Sequence, residues 1–289
     1  MIIRSFAKIN LGLEVMGMRA DGYHEIRTLF QAVSLSDILE FGLDAAGGIR
    51  VSGDDNSIPW DERNLVFKAA LLLKKTYAVP GGVWVRVAKA VPAGKGLGGG
   101  SSNAAMTLFA LNRLWALGLS PDELVSLGVR LGADVPFFLE GGLCLGEGRG
   151  DVLTPLPDLP ALYCVLALPE QAVSSADVYA CLRLTSPGKD SKIKQFLTQG
   201  ELGLLEQLEN TLEETVFSLH PRLKEYKDFF LAREAVLSLM SGSGAAVFGL
   251  YRDKKKAEKA LAKLKGTAEA LLVETLSRER YWREATAGV

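Results

Sequence analysis

A chain of 289 residues, 48% hydrophobic and 23% charged, has the make-up of a water-soluble globular protein large enough for two domains. A formal charge of −1 gives no reason to expect nucleic acid as a partner, and two histidines leave little room for a histidine-based metal site. The longest apolar run, ALYCVLAL at 161–168, is too short to span a bilayer, and MIIRSFAKIN lacks the features of a secretory signal or transit peptide, so the expected compartment is the cytoplasm.

Taken in chain order, the first forty residues alternate like half-buried strands, with Leu11, Leu13 and Val15 on one face and a turn at Asp21-Gly22 before an extended run from Ile26 to Val33. Residues 62–78 read as an amphipathic helix, and Val83, Val85 and Val87 mark another strand. A glycine loop follows, then a helix from about Ser102 to Leu117, stopped by Gly118. In SPDELVSLGVRLG, Ser120 reads as an N-cap, Pro121 as the first helical residue and Glu123 as the far side of a capping box, with Gly132 closing the helix. The prolines of TPLPDLP (154–160) mark a stiff inter-domain connection. Beyond it come a strand at 161–168, a mostly helical region to about 232, and a strand, glycine turn and strand in AVLSLMSGSGAAVFGLY. In KKKAEKALAKLK (254–265) the residues Ala257, Ala260, Leu261 and Leu264 have helical spacing, and the lysines read as a solvated face. Cys144, Cys164 and Cys181, with no C-x-x-C among them, read as buried thiols. The fold class is α+β in two halves.

The chemistry concentrates in PAGKGLGGGSSNAA, residues 92–105. It is not a P-loop, since Lys95 is followed by Gly96 and no glycine stands five places before Gly94. From Gly94 to Gly99 it matches G-x-G-x-x-G, but Pro92 interrupts the approach and the next acidic residues, Asp122 and Glu123, begin a helix. A dinucleotide-binding oxidoreductase is therefore disfavoured. What survives is the physics of the loop. Glycines let the main chain approach an anion, the helix behind them offers free N–H groups, and Ser101 and Ser102 add hydroxyls within reach of phosphate or a metal ion.

With Pro92, Gly96-Leu97-Gly98 and Ser101-Ser102 in this order, the loop resembles the ATP loop of the GHMP kinases, as do FAKINL near the N-terminus and MSGSGAAVF at 240–248. Within that superfamily, FAKINLGLEV, RADGYHEIRTLFQAVSLSD, GKGLGGGSSNAA and GADVPFFLEGG resemble the 4-diphosphocytidyl-2-C-methyl-D-erythritol kinase family of non-mevalonate isoprenoid biosynthesis. The likeness runs in order through nearly the whole chain and is weakest between about 183 and 235. It implies an N-terminal GHMP kinase ATP-binding α+β domain over residues 1–156 and a C-terminal, ferredoxin-like α+β domain over 157–289. It also implies ATP as phosphoryl donor, Mg2+ beside it, and a small-molecule cytidine diphosphate acceptor phosphorylated on its 2-hydroxyl. The enzyme would act as a monomer or weak homodimer, with no nucleic acid and no membrane. A homoserine- or mevalonate-type kinase and a non-catalytic nucleotide sensor on the same fold are the competing readings.

Residue by residue, the resemblance gives the acceptor's proton to Asp134 and charge stabilisation to Lys8. From the residues alone, one is a turn or capping residue and the other a strand lysine; the two meet only if the first strand lies beside the chain leaving the capped helix. ATP falls to Pro92, Ala93, Gly94, Lys95, Gly96, Leu97, Gly98, Gly99, Gly100, Ser101 and Ser102, with Asn64 and Leu65 resembling the adenine-side wall. Lys95 stands where the family would place a small residue such as alanine, and either contacts phosphate or points to solvent. Tyr23 would stack on cytosine and His24 hydrogen-bond it, while Tyr179 is a second stacking face or a core tyrosine. Asn10, two residues from Lys8, points to the same face and would bind the acceptor's diol or phosphate. Gly242 and Gly244 belong to a turn that closes over the acceptor or simply joins two strands. No side chain stands out as the magnesium ligand.

Overall fold

The computed structural model describes residues 1–171, 173–182, 191–199 and 202–289. It opens on a long antiparallel hairpin, β1 (Ile2–Met18) and β2 (His24–Asp44), reversed at Asp21-Gly22, where Gly22 adopts φ +83° and the Asp21 carboxylate accepts from the Tyr23 N–H at 3.1 Å. β2 is the hub of the first sheet. It pairs with β1, with β4 (Gly82–Ala88) and with β5 (Leu143–Glu147); β3 (Ile49–Gly53) lies parallel to β4, and β6 (Val152–Pro155) closes the far edge.

Four helices build the rest of this half: α1 (Leu65–Thr76), α2 (Gly99–Leu114), α3 (Pro121–Leu131) and α4 (Val135–Glu140). α3 is bounded as its sequence dictates. Ser120 and Glu123 form the capping box, Pro121 stands in the first turn, and Gly132 closes the helix. α2 differs. It begins at Gly99, three residues earlier than the serines suggest, because Gly98 takes the left-handed conformation and starts the helix without a side-chain cap.

The second half has the chain order β7 (Tyr163–Leu168), α5 (Ser175–Cys181), α6 (Lys192–Gln199), a 3-10 turn (Leu202–Gln207), α7 (Glu213–Leu219), α8 (Pro221–Leu231), β8 (Leu237–Met240), β9 (Val247–Tyr251), α9 (Lys254–Leu264), β10 (Glu269–Glu274). Its antiparallel sheet has the order β10-β7-β9-β8, the ferredoxin-like arrangement of two interleaved β-α-β units. Among the described residues helix predominates up to residue 232 as expected, residues 172, 183–190, 200 and 201 of that stretch lying outside them. The chain then doubles back. α10 (Arg278–Ala285) buries Tyr281 in the first half's core, its hydroxyl donating to the Phe138 carbonyl at 2.7 Å.

Three sequence expectations need correction. β1 is buried on both faces, not one: Ile3 and Phe6 join the core under α2, whereas Ala7, Ile9 and Leu11 pack with the second sheet's layer. A strand covered on both sides loses its polar face, and only Lys8, Asn10 and Ser5 remain as buried polar residues on it. Thr154 and Pro155 belong to β6, so the connection between the halves starts at Leu156. Cys144 and Cys164 are buried, but Cys181, at the end of α5, is exposed. Among the described residues, no helix is long and apolar enough to cross a membrane.

Candidate active site

The glycine loop is held in place from behind. The fully buried carboxylate of Asp37 on β2 accepts from the N–H groups of Ala90 and Val91 at 2.7 and 2.8 Å and from the Lys89 ammonium, fixing the strap that leads into the loop. The Lys8 N–H donates to the Leu97 carbonyl at 3.0 Å, clamping the loop onto β1. At Gly98 (φ +71°) a Cβ would stand 2.6 Å from the Phe138 ring, and at Gly96 (φ +75°) 2.1 Å from the Ser241 carbonyl oxygen. Both glycines are thus required by packing as well as by backbone conformation. The loop delivers the chain into α2, whose first turn has no side-chain cap and no acidic residue, so its free N–H groups and positive dipole end face outward.

That helix start opens on a cleft of about 460 Å³ whose wall is the run Pro92 to Ser101, with Asn64 and Leu65 opposite. Asn64 is also the cap of α1, its Oδ1 accepting from the Val66 N–H at 2.9 Å. Ser102 is placed differently from Ser101. It is fully buried, its hydroxyl accepting from Ser5 at 2.7 Å. Ile58, Pro59 and Trp60 add an apolar wall, and Lys89 a cation, that the sequence reading did not single out. The Asn103 side-chain oxygen is buried at the same wall with no partner among the described residues. Lys95 lies on this wall, and its ammonium donates to the carbonyls of Pro169, Glu170 (3.1 Å) and Gln171 (2.8 Å) across the domain junction.

Gly96 and Gly98 also line a second, smaller pocket of about 250 Å³, so the two cavities meet at the loop. Lys8 and Asp134 stand there with Nζ and Oδ2 3.7 Å apart. The juxtaposition demanded of β1 and the end of the capped helix is therefore present. Asp134 is the N-cap residue of α4 but makes no capping hydrogen bond, and its carboxylate faces Lys8 instead. Lys8 donates to Asn10 Oδ1 at 2.6 Å, Asn10 donates to Thr28 at 2.8 Å, and Thr28 donates to the Gly12 carbonyl at 2.7 Å, a chain that fixes the ammonium on its strand. Burial pushes the Lys8 pKa below its ordinary value, and the charge of Asp134 opposes that shift.

The rest of this pocket comes from both halves of the chain. Gly242 lies against the Lys8–Asn10 pair, an added Cβ falling 3.5 Å from Lys8 Nζ, whereas Gly244 turns away toward Met240. Asn210 holds that turn by donating to the carbonyls of Met240 and Gly242 at 2.8 and 2.7 Å. Tyr179 lines the pocket and stacks on His24 with ring centroids 4.9 Å apart; burial, helped by the charge of Asp134, raises its pKa to about 12, so it is a neutral phenol. Tyr23 is 58% exposed with the Arg149 guanidinium 5.1 Å from its ring centre. Arg149 lines the pocket and is braced by Asp151 at 2.7 Å. Sequence reasoning missed Arg149, Ser175 and Ser243, because only the fold brings the β5–β6 turn, α5 and the glycine turn to one place.

Comparison with known proteins identifies the family. Residues 64–142 match the GHMP kinases N terminal domain family and residues 193–270 the GHMP kinases C terminal family. The chain is 38% identical over 283 residues to 4-diphosphocytidyl-2-C-methyl-D-erythritol kinase of Geobacillus kaustophilus, covering 96% of this chain and 98% of the relative. It is 39% identical over 280 residues to the enzyme of the same name from Shouchella clausii, covering 96% and 94%. Among solved structures, a 4-(cytidine 5'-diphospho)-2C-methyl-D-erythritol kinase superposes with a TM-score of 0.81 at 36% identity, over 95% of this chain and 99% of that one. Homoserine kinase from Cytophaga hutchinsonii, at 22% identity and a TM-score of 0.74 over 96% and 95% of the two chains, shares the fold. The chain belongs to the 4-diphosphocytidyl-2-C-methyl-D-erythritol kinase family of the GHMP kinases.

Proposed function

We propose that this protein transfers the γ-phosphoryl group of ATP to the 2-hydroxyl of 4-diphosphocytidyl-2-C-methyl-D-erythritol in non-mevalonate isoprenoid biosynthesis. The observation that carries the reading is the Lys8–Asp134 pair standing where the two cavities meet at Gly96 and Gly98. ATP occupies the larger cleft, its phosphates over the N–H groups of the loop and of α2. The acceptor occupies the smaller pocket with its hydroxyl at Asp134. As the hydroxyl oxygen bonds to the γ-phosphorus and the bond to the β-phosphate bridging oxygen breaks, the proton passes to Asp134 and ADP departs. Lys8, fixed by Asn10, supplies positive charge beside the phosphoryl oxygens and the developing alkoxide.

Magnesium supplies neutralisation of phosphate charge when bound with the nucleotide. Among the described residues no three His, Cys, Asp or Glu side chains are grouped for a metal, which fits an ion held chiefly by ATP oxygens and water. Ser101, on the wall of the larger cleft, supplies the side-chain oxygen that would reach it. For the acceptor's cytosine we assign Tyr23 and Tyr179 to stacking and His24 to the base edge, with Arg149 facing its phosphates. We read the protein as a cytoplasmic monomer or weak homodimer on its resemblance to the family, and its near-neutral charge of −1 supports small molecules over nucleic acid as its partners.

The test is ADP release from ATP with this acceptor beside homoserine, mevalonate and acceptor-free controls. Turnover confined to the cytidine-bearing acceptor supports the reading. Preferential turnover of homoserine or mevalonate would reassign the substrate, and ATP binding without turnover of any acceptor would favour a nucleotide sensor.

A further inference from the structure

Lys95 is a departure from the small residue expected in this loop, and its side chain has an occupation that a phosphate contact does not explain. Its ammonium donates to the carbonyls of Pro169, Glu170 and Gln171, the residues that follow β7, and the side chain is half-buried there. Three carbonyls around one ammonium match its three donors, so the group is fully engaged. Its neighbours are stitched to the same half of the chain. The Ala246 N–H donates to the Lys95 carbonyl at 3.2 Å, and the Ser241 hydroxyl to the Gly96 carbonyl at 2.9 Å. On the acceptor side, Ser175 of α5 is joined to Ser243 of the glycine turn by a hydroxyl–hydroxyl bond of 2.6 Å, and Tyr179 of α5 lines the acceptor pocket. The backbone that cradles nucleotide is thus tied, through one side chain and one turn, to the wall of the other pocket.

We propose that Lys95 is a positioning residue that couples the two sites, nucleotide in the glycine loop presetting the α5 wall of the acceptor pocket through the Lys95 tether. The proposal rests on the assignment of the two pockets made above. Nucleotide ordering the loop restrains the carbonyls that Lys95 holds, and the acceptor then meets a wall already in place. Linkage requires the effect to be mutual, the acceptor tightening nucleotide by the same factor.

The experiment measures the dissociation constant of the cytidine diphosphate acceptor with and without saturating non-hydrolysable ATP analogue, in wild type, Lys95→Ala and Lys95→Arg. In wild type the analogue is expected to tighten the acceptor about fivefold or more, the lower range of such couplings. In Lys95→Ala that factor falls to about one whatever the affinity for the analogue alone, and Lys95→Arg, which keeps the donors, restores part of the coupling. Hydrogen exchange over residues 173–182 on adding the analogue alone gives a readout that needs no acceptor: protection in wild type, lost in Lys95→Ala. No coupling in wild type, or coupling unchanged in Lys95→Ala, overturns the proposal. A tenfold or greater loss of analogue affinity with coupling intact makes Lys95 a phosphate contact instead. Failure of the acceptor to bind wild type while the exchange result holds would overturn the substrate assignment and leave the tether standing.

Discussion

The Lys8 ammonium and the Asp134 carboxylate stand 3.7 Å apart, one almost wholly buried and the other 36% exposed, brought together by the first strand and the start of a short helix. The asymmetry divides their roles. Asp134 has access to the open pocket and no capping bond to maintain, so Asp134→Asn should fold normally. The amide keeps the carboxylate's size and cannot take the proton, and kcat is expected to fall roughly 10²–10⁴-fold. Steady-state kinetics beside a thermal melt decide it: near wild-type turnover in a correctly folded variant sinks the assignment.

Lys8 makes a prediction about pH as well as rate. Burial lowers its pKa from the ordinary 10.5, with Asp134 opposing. Between the lowered native value and the ordinary one, the unfolded chain holds a proton that the native chain has released, so stability rises with pH across that window. Lys8→Met lacks this proton. Wild type should therefore gain on Lys8→Met, in urea midpoints, as pH moves from about 7 to about 10. A gap that stays constant would mean Lys8 is as easily charged folded as unfolded. The variant's kcat should fall while KM for ATP hardly moves, since the loop backbone and α2 hold the nucleotide. Intact kcat with weakened ATP binding would reduce Lys8 to a nucleotide contact.

The glycine loop separates packing from phosphate binding. Gly98 has φ +71° and an added Cβ would collide with Phe138, whereas at Gly100 the nearest atom is Leu65 Cδ1 at 3.8 Å, on the cleft wall. Gly98→Ala is expected to lower the melting temperature and to displace the Lys8 stem, 3.2 Å from the new methyl, abolishing activity through structure. Gly100→Val should keep the melting temperature and weaken ATP by intruding on the cleft. Unchanged ATP affinity in Gly100→Val would remove the phosphate-loop reading.

Local signals in the sequence carried far. Ser120, Pro121 and Glu123 announced α3, Asp21-Gly22 the hairpin, and the glycines the helix behind them, because each acts through its own backbone neighbours. What stayed hidden depends on distant partners. Asp37 was not singled out in the sequence, and only the fold shows it carrying the strap at Ala90 and Val91. Lys95 reads as a phosphate or solvent lysine, and its partners at 169–171 lie beyond the domain junction. The burial of both faces of β1 was equally illegible, since a second domain covers the face that alternation assigns to water. Lys8, Asn10 and Asp134 were proposed through family likeness, and the fold brings them together; their residue types alone are those of a strand and a turn.

Specificity for the proposed acceptor gives the sharpest test, through Tyr179 in the smaller pocket and through His24 and Tyr23, which touch pocket residues without lining it. Tyr23 is exposed beside Arg149, while His24 and Tyr179 lie stacked on each other at 4.9 Å, so a base entering between Tyr23 and Tyr179 has to part or displace that second pair. Stacking on an aromatic ring contributes roughly 1–3 kcal/mol per base. Tyr23→Ala is therefore expected to raise KM for the cytidine-bearing acceptor about 5- to 150-fold, where KM reports binding, and to leave KM for ATP nearly unchanged. Tyr179→Ala should act in the same direction, because it removes the second ring and frees His24. His24→Ala should also weaken the acceptor, and it should blunt discrimination between cytosine and uracil, since an edge contact reads the base whereas stacking tolerates either. Measuring KM for both substrates in the three variants, with the uridine analogue as competitor, separates the outcomes. If ATP suffers while the acceptor's KM holds, the pockets have been assigned to the wrong nucleotides. If neither moves in Tyr23→Ala, the exposed ring beside Arg149 has no part in recognition and the acceptor's base lies elsewhere in the pocket.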